Sequence, residues 1–190
     1  MAIQTERKMT VPGYLEWEER QEYKHEYIDG DIIELTGGTL RHTRIKTNVG
    51  GTLFALLDFS TFILCNSDMR VRVGPTRYVY PDFTVVRGEP SLEDEKELTL
   101  LNPIFVVEVT SPSSILRDKV EKLGYYLDVL SIEAYLIIDQ DRVHADLYTR
   151  ADEGWDLRVF NDPGDVIPLE MLNCELSLAR VYRGIEVANA

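Results

Sequence analysis

The sequence predicts one α/β domain with a central mixed β-sheet flanked by helices. Three observations carry that prediction. PIFVVEVT at 103–110 is apolar enough for a strand covered on both faces. A helical pattern follows it, and then a second apolar run, AYLIID at 134–139, so that strand, helix and strand ask for a right-handed crossover onto a parallel pair. The 190 residues, 44% hydrophobic and 28% charged, suffice for one sizeable core and contain no repeat, low-complexity tract or long linker. The domain is therefore expected to span 1–190.

Each element has a local reason. VPGYLEWEER at 11–20 reads as a short helix, with Pro12 in its opening turn and Tyr14, Leu15 and Trp17 as apolar contacts. YKHEYI and DIIEL flank Asp29-Gly30, a pair that favours the tight primed turn of a hairpin. Gly37 and Gly38 break the chain before a helix over 42–59, where Ile45, Val49, Leu53, Leu56 and Leu57 recur at helical spacing. Gly50 and Gly51 weaken that helix unless a neighbour packs closely there. Strands are expected at 62–65 (FILC), 69–73 (MRVRV, alternating and so wet on one side) and 82–86 (DFTVV). Residues 89–97 hold five acids and one lysine and read as an exposed, mobile acidic loop. After the Ser-Pro break a helix runs over 114–130. VHADLYTR and WDLRVF then pair about Asp152-Glu153-Gly154, and a short helix around LSLARVY closes the chain.

The formal net charge of -13 disfavours a broad nonspecific nucleic-acid surface, since phosphates need local positive charge. It leaves room for a small basic or metal-filled cleft. Cys65 and Cys174, far apart and without a CxxC pair, are expected as buried free thiols of a reducing compartment. No stretch approaches the ~20 apolar residues of a membrane span. MAIQTERKM lacks the apolar core of a signal peptide, so a cytoplasmic protein without membrane attachment is expected.

The chemistry centres on Glu108, a carboxylate set within IFVVEVT. Burial removes its water, and something must compensate it. Asp82 stands at the mouth of another apolar strand. If the two strands are neighbours, both carboxylates and the backbone carbonyl of Val109 converge on one Mg²⁺, a cation that wants hard oxygen ligands. The competing reading of Glu108 is a structural ion pair. Asp118, Lys122 and Tyr126 share one helix face by their spacing of four. That face either carries a surface ion pair or brings Lys122 to the acids, where it would orient water or stabilise charge on phosphate. Glu26, on the first hairpin strand, is a third candidate acid. His42 is either a cap or an acid and phosphate contact, beside the basic cluster Arg41, Arg44 and Lys46. No GxGxxG fingerprint, GxxxxGK[ST] loop or G-x-S-x-G elbow is present, and no Ser–His contact with Ser111 or Ser113 is indicated.

In order, EYIDG at 26–30, His42, YPDFTVV at 80–86, IFVVEVTSPSS at 104–114, DKVEKLGYY at 118–126 and EAYLIID at 133–139 make the chain resemble a large bacterial family of candidate restriction endonucleases, abundant in cyanobacteria. That family lies within the PD-(D/E)XK nuclease superfamily. The resemblance implies a restriction-endonuclease-like fold and a DNA endonuclease that hydrolyses phosphodiesters with Mg²⁺ (or Mn²⁺) and activated water. It implies Asp82 and Glu108 as the metal acids and Lys122 as a lysine displaced onto the helix. Glu26 would be the added acid, and His42, Asp118 and Tyr126 would support them. Thr110 stands where the superfamily's name-giving lysine would fall, a departure shared by the family. A homodimer fits the class. The alternative is a catalytically inactive nuclease-like domain retained for binding or regulation.

Overall fold

The computed structural model describes residues 8–111 and 121–187. The chain opens with helix α1 (Val11–Glu18), capped by Thr10, whose side chain accepts from the Gly13 N–H at 3.3 Å. Strands β1 (His25–Ile28) and β2 (Asp31–Glu34) form the expected hairpin. Asp29 and Gly30 both take positive φ, 52° and 102°, as a primed turn requires.

Helix α2 (Leu40–Leu56) starts two residues before the expected point. The Thr39 hydroxyl accepts from the His42 N–H at 3.1 Å and so caps the helix there. It also ends sooner than expected, because Asp58 Oδ1 takes the Ser60 N–H at 2.9 Å in a local turn.

Among the described residues the strands form a six-stranded sheet, a five-stranded sheet and a two-stranded hairpin. The central sheet has six strands in the order β11 (Trp155–Phe160), β10 (Ala145–Arg150), β9 (Ala134–Asp139), β8 (Phe105–Thr110), β6 (Phe83–Arg87) and β3 (Phe62–Asn66). It is mixed: β8 and β9 are parallel, as the strand–helix–strand order demands, and the remaining pairs are antiparallel. The second sheet orders β2, β1, β5 (Arg77–Val79), β4 (Arg70–Gly74) and β7 (Thr99–Leu100). MRVRV supplies β4 of this sheet. The three- and two-residue strands that flank it are too short to show a period.

Alternation along β8 explains how the layers meet. Phe105, Val107 and Val109 join Ile45, Val49 and Leu53 of α2 in one core. Val106 joins Val71, Val79, Tyr135 and Tyr126 in a second core, on the other face. Tyr126 belongs to α3 (Leu123–Asp128), the described part of the helix expected over 114–130. A hairpin of β12 (Val166–Leu169) and β13 (Cys174–Ser177), followed by α4 (Leu178–Val181), completes the α2 side. The sequence did not announce this hairpin, because Pro168 argues against a strand and each arm has only four residues.

In the acidic stretch, Glu89 and residues 95–98 are exposed. Glu93 turns inward, accepting from Arg72 Nη1 at 2.7 Å and the Tyr78 hydroxyl at 3.0 Å. Cys65 and Cys174 are free but only half-buried, which corrects the expectation of full burial. What burial they have raises both thiols. Among the described residues no helix is long and apolar enough to cross a membrane.

Tyr14, Tyr27 and Tyr78 make a third, aromatic cluster, with the buried Arg70 guanidinium over the rings of Tyr14 and Tyr78. Burial pushes Tyr78 and Tyr80 up to about 12, and raises Tyr14 and Tyr182 further. A phenol raised in the folded state contributes stability that is complete below its unfolded value of 10.0 and is lost as pH rises through the folded value. The urea midpoint is therefore expected to hold flat up to about pH 10 and then fall steeply towards pH 12. A titration series of unfolding curves that stays flat to pH 11.5 would contradict that coupling.

Candidate active site

The site lies in a cleft of about 1290 Å³ between α2, the hairpin and the ends of β6 and β8. Asp82, immediately before β6, comes opposite Glu108 because Phe83 pairs with Val107 across the antiparallel strands. Asp82 Oδ2 takes the Val109 N–H at 2.7 Å. Val109 thus meets Asp82 through its amide. Both acids are buried, at 8% and 5% exposure, and both line the cleft.

Glu26 arrives from the other sheet. Strand alternation turns Tyr27 into the aromatic cluster and Glu26 to the opposite side, fully buried at 0% exposure. Its Oε1 accepts from the Tyr80 N–H at 3.2 Å.

Lys122 joins the two sheets. It stands at the N-cap position of α3, and its Nζ lies 2.9 Å from Glu26 Oε1 and 2.8 Å from Glu108 Oε1. One helical turn on, the Tyr126 hydroxyl donates to the same Glu108 oxygen at 2.8 Å. Four of the expected residues are thus linked in one chain of contacts, Glu26 to Lys122, Lys122 to Glu108 and Glu108 to Tyr126. The i,i+4 face read from the sequence is real for Lys122 and Tyr126, while Asp118 lies outside the described residues. The compensation that Glu108 requires is a buried ammonium and a phenol.

Asp82 has its own lysine. Lys46 Nζ lies 2.7 Å from Asp82 Oδ1 and also donates to Ser67 Oγ at 3.3 Å. His42 Nε2 is 3.9 Å from the same Asp82 oxygen, an ion pair only when the imidazole is protonated. The sequence placed Lys46 in a basic cluster and did not connect it with Asp82. Two signals were present: His42 and Lys46 are spaced i,i+4, and Gly50 follows four residues later. A Cβ on Gly50 would come within 2.7 Å of the Phe83 ring. Glycine at that point lets α2 settle against β6, and one turn earlier the same approach sets Lys46 against Asp82. Gly51, by contrast, would meet nothing within 4 Å. The basic cluster itself disperses: Arg41 pairs with Asp141 at 2.7 Å.

A neighbouring pair also escaped sequence reading. His25 Nδ1 is 3.0 Å from Glu18 Oε2, and the Tyr80 hydroxyl donates to Glu18 Oε1 at 3.1 Å. No spacing rule links α1 to β1 in this way.

The donor set differs from the cation clamp anticipated for Asp82, Glu108 and Val109. Among the described residues no three His, Cys, Asp or Glu side chains gather as a metal-holding group. Both oxygens of Asp82 are engaged, one by an ammonium and one by an amide. Glu26 and Glu108 share a second ammonium. As arranged, lysine supplies the positive charge at each acid, and these residues do not fit an Mg²⁺ ion without rearrangement.

Comparison with known proteins shows what the chain resembles. Residues 11–180 match the model of the Uma2 family, described as "Putative restriction endonuclease". Two uncharacterized proteins of Synechocystis are each 31% identical to the chain. One, slr1290, matches over 179 residues, 94% of this chain and 93% of its own. The other, sll1609, matches over 157 residues, 82% of this chain and 89% of its own. The fold is similar to the crystal structure of a "putative nuclease belonging to DUF820" from Anabaena variabilis, with a TM-score of 0.77 at 18% identity, over 92% of this chain and 97% of that one. By the extent of the family match and the identity of its relatives, the chain belongs to the Uma2 family and carries a PD-(D/E)XK-like nuclease fold.

Proposed function

We propose that this is a nuclease-fold domain that binds DNA at the cleft and, in the lysine-paired arrangement, does not cut it. The observation that carries the reading is Lys122 bridging Glu26 and Glu108 at 2.9 and 2.8 Å. A carboxylate committed to a buried ammonium is not available to coordinate a cation or to accept a proton from water without first breaking that pair. Asp82 is committed in the same way to Lys46. Lys24 and Lys46, with Asn66 and Ser67, supply polar and basic groups along the cleft wall for a phosphate backbone. The overall negative charge keeps such binding local to the cleft. The homodimer and the cytoplasmic setting expected from the sequence belong to the same proposal.

One observation favours a second reading, Mg²⁺- or Mn²⁺-dependent hydrolysis of DNA by water. Asp82 and Glu108 occupy opposed positions on neighbouring strands and face one cleft. In that reading they and Glu26 are the working acids, Lys122 steadies charge on the phosphate, and His42 and Tyr126 position them. Fold alone does not choose between the two.

The test uses one preparation and two readouts: fluorescence anisotropy with a labelled DNA, and cleavage of supercoiled, linear and single-stranded DNA with Mg²⁺ or Mn²⁺. Binding without cleavage, retained in Glu108→Gln, is the expected result. Cleavage by the parent chain that disappears in E108Q with the fold intact establishes the hydrolytic reading instead. Absence of DNA binding by the folded parent defeats both.

A further inference from the structure

We propose that the cleft takes its DNA as a single strand, with Tyr23 as the platform on which a base stacks. The inference rests on the reading of the cleft as a DNA site, and it names the form of DNA that the cleft admits.

Charge argues against a duplex. Among the described residues, five carboxylates and three lysines line the cleft. Each of those lysines already has an acid: Lys24 pairs with Asp68, Lys46 with Asp82, and Lys122 with Glu26 and Glu108. Lys24 and Lys46 keep 40% and 24% exposure of their side chains, against 6% for Lys122. The threonines of the α2 wall add little. The Thr43 and Thr47 hydroxyls donate to the Thr39 and Thr43 carbonyls, at 3.0 and 2.9 Å. A duplex presents two phosphate backbones, and its affinity comes largely from the cations that neutralise them. Two solvent-reachable lysines neutralise about two phosphates, which is few for a duplex.

What the cleft presents instead is an aromatic face. Tyr23 lies on the connection between α1 and β1, and it lines the cleft while 61% exposed. The backbone beside it is fixed. The Lys24 carbonyl accepts from the Leu35 N–H at 2.8 Å, and Lys24 Nζ donates to the Ser67 carbonyl at 2.9 Å, on the turn between β3 and β4. An aromatic ring on an anchored backbone loses little freedom when a base lies on it. Lys24, the more exposed of the two lysines, is the next residue, so base and phosphate contacts come from adjacent positions. A ring for the base beside a cation for the backbone is how single strands are held without regard to sequence. The bases of a duplex are stacked on each other and cannot use the ring. The cleft volume of about 1290 Å³ exceeds the ~300–1,000 Å³ of a small-molecule site, which suits a strand rather than a lone nucleotide.

The test is fluorescence anisotropy of the parent chain with three labelled probes: a short oligothymidylate, the same strand carrying abasic sites, and its duplex with oligoadenylate. Oligothymidylate is expected to bind at least about tenfold tighter than the duplex, and the abasic strand about tenfold weaker than oligothymidylate. The slope of log K against log salt should be no steeper than about −1.4, the value for two phosphates of a single strand. Tyr23→Ala should weaken oligothymidylate binding by about tenfold, while Tyr23→Phe and Tyr23→Trp retain it. Tryptophan fluorescence of Y23W should be quenched by oligothymidylate more than that of the parent, a readout of stacking that does not depend on affinity. A duplex bound as tightly as the strand overturns the proposal and leaves the DNA reading in place. So does an abasic strand bound as tightly as oligothymidylate, or a Y23A variant equal to the parent. Absence of binding to all three probes by the folded parent defeats both.

Discussion

Replacing Lys122 by methionine is expected to destabilise the folded chain by about 3–5 kcal/mol, the range for breaking a buried ion pair by removing one partner. The size of the effect comes from what is left behind. Glu26 and Glu108, at 0% and 5% exposure, each lie within 2.9 Å of the Lys122 ammonium. Methionine preserves most of the volume and removes the charge, so packing loss is small. Two buried carboxylates then lose the ammonium they share. Tyr126 still donates to Glu108, and the Tyr80 amide to Glu26, but these hydrogen bonds cannot cancel a second negative charge. The melting temperature should fall by roughly 6–20 °C for a chain of this length. Urea unfolding of parent and K122M at pH 8 measures the loss. A loss under 1 kcal/mol at pH 8 would mean that the two carboxylates are not held as charged neighbours.

How much of this site was legible beforehand follows from the range over which sequence patterns act. Glu108 stood out because a charged residue in an unbroken apolar run conflicts with its own surroundings. Lys122 and Tyr126 could be placed on one face because i,i+4 spacing is a local rule. The parallel pairing of β8 with β9 follows from chain order alone. What could not be read were meetings between elements. Lys46 reaches Asp82 only because α2 lies close against β6, and that closeness is set by one glycine facing one phenylalanine ring. Glu18 reaches His25 through the approach of α1 to the hairpin. The separate five-stranded sheet depends on β5 and β7, too short to display alternation. Metal or ion pair was likewise undecidable from the strand pattern. Both relieve the same burial, and the choice turns on whether an ammonium from a distant element arrives.

That choice has a consequence for why the trio exists, and the triple variant Glu26→Gln, Glu108→Gln, Lys122→Met isolates it. Burying three charges costs several kcal/mol of lost hydration per ion, and their attraction only roughly recovers this. Removing all three charges together removes both sides of that balance. The amide oxygens of the two glutamines can still accept from Tyr80 N–H and the Tyr126 hydroxyl, the partners of the original carboxylates. The triple variant is therefore expected to recover most of the stability lost in K122M, ending within about 1 kcal/mol of the parent chain. Its affinity for DNA should nevertheless fall, since the cleft wall loses the charges of Glu108 and Lys122. Urea unfolding and DNA anisotropy on the same sample separate the two effects. A triple variant no more stable than K122M would show that the charges hold the two sheets together in their own right. A variant as stable as the parent and with undiminished affinity would place DNA outside this cleft. The expected combination, restored stability with weakened binding, identifies the buried charges as a feature retained at no gain to the fold, whose selective value lies in the ligand that the cleft receives.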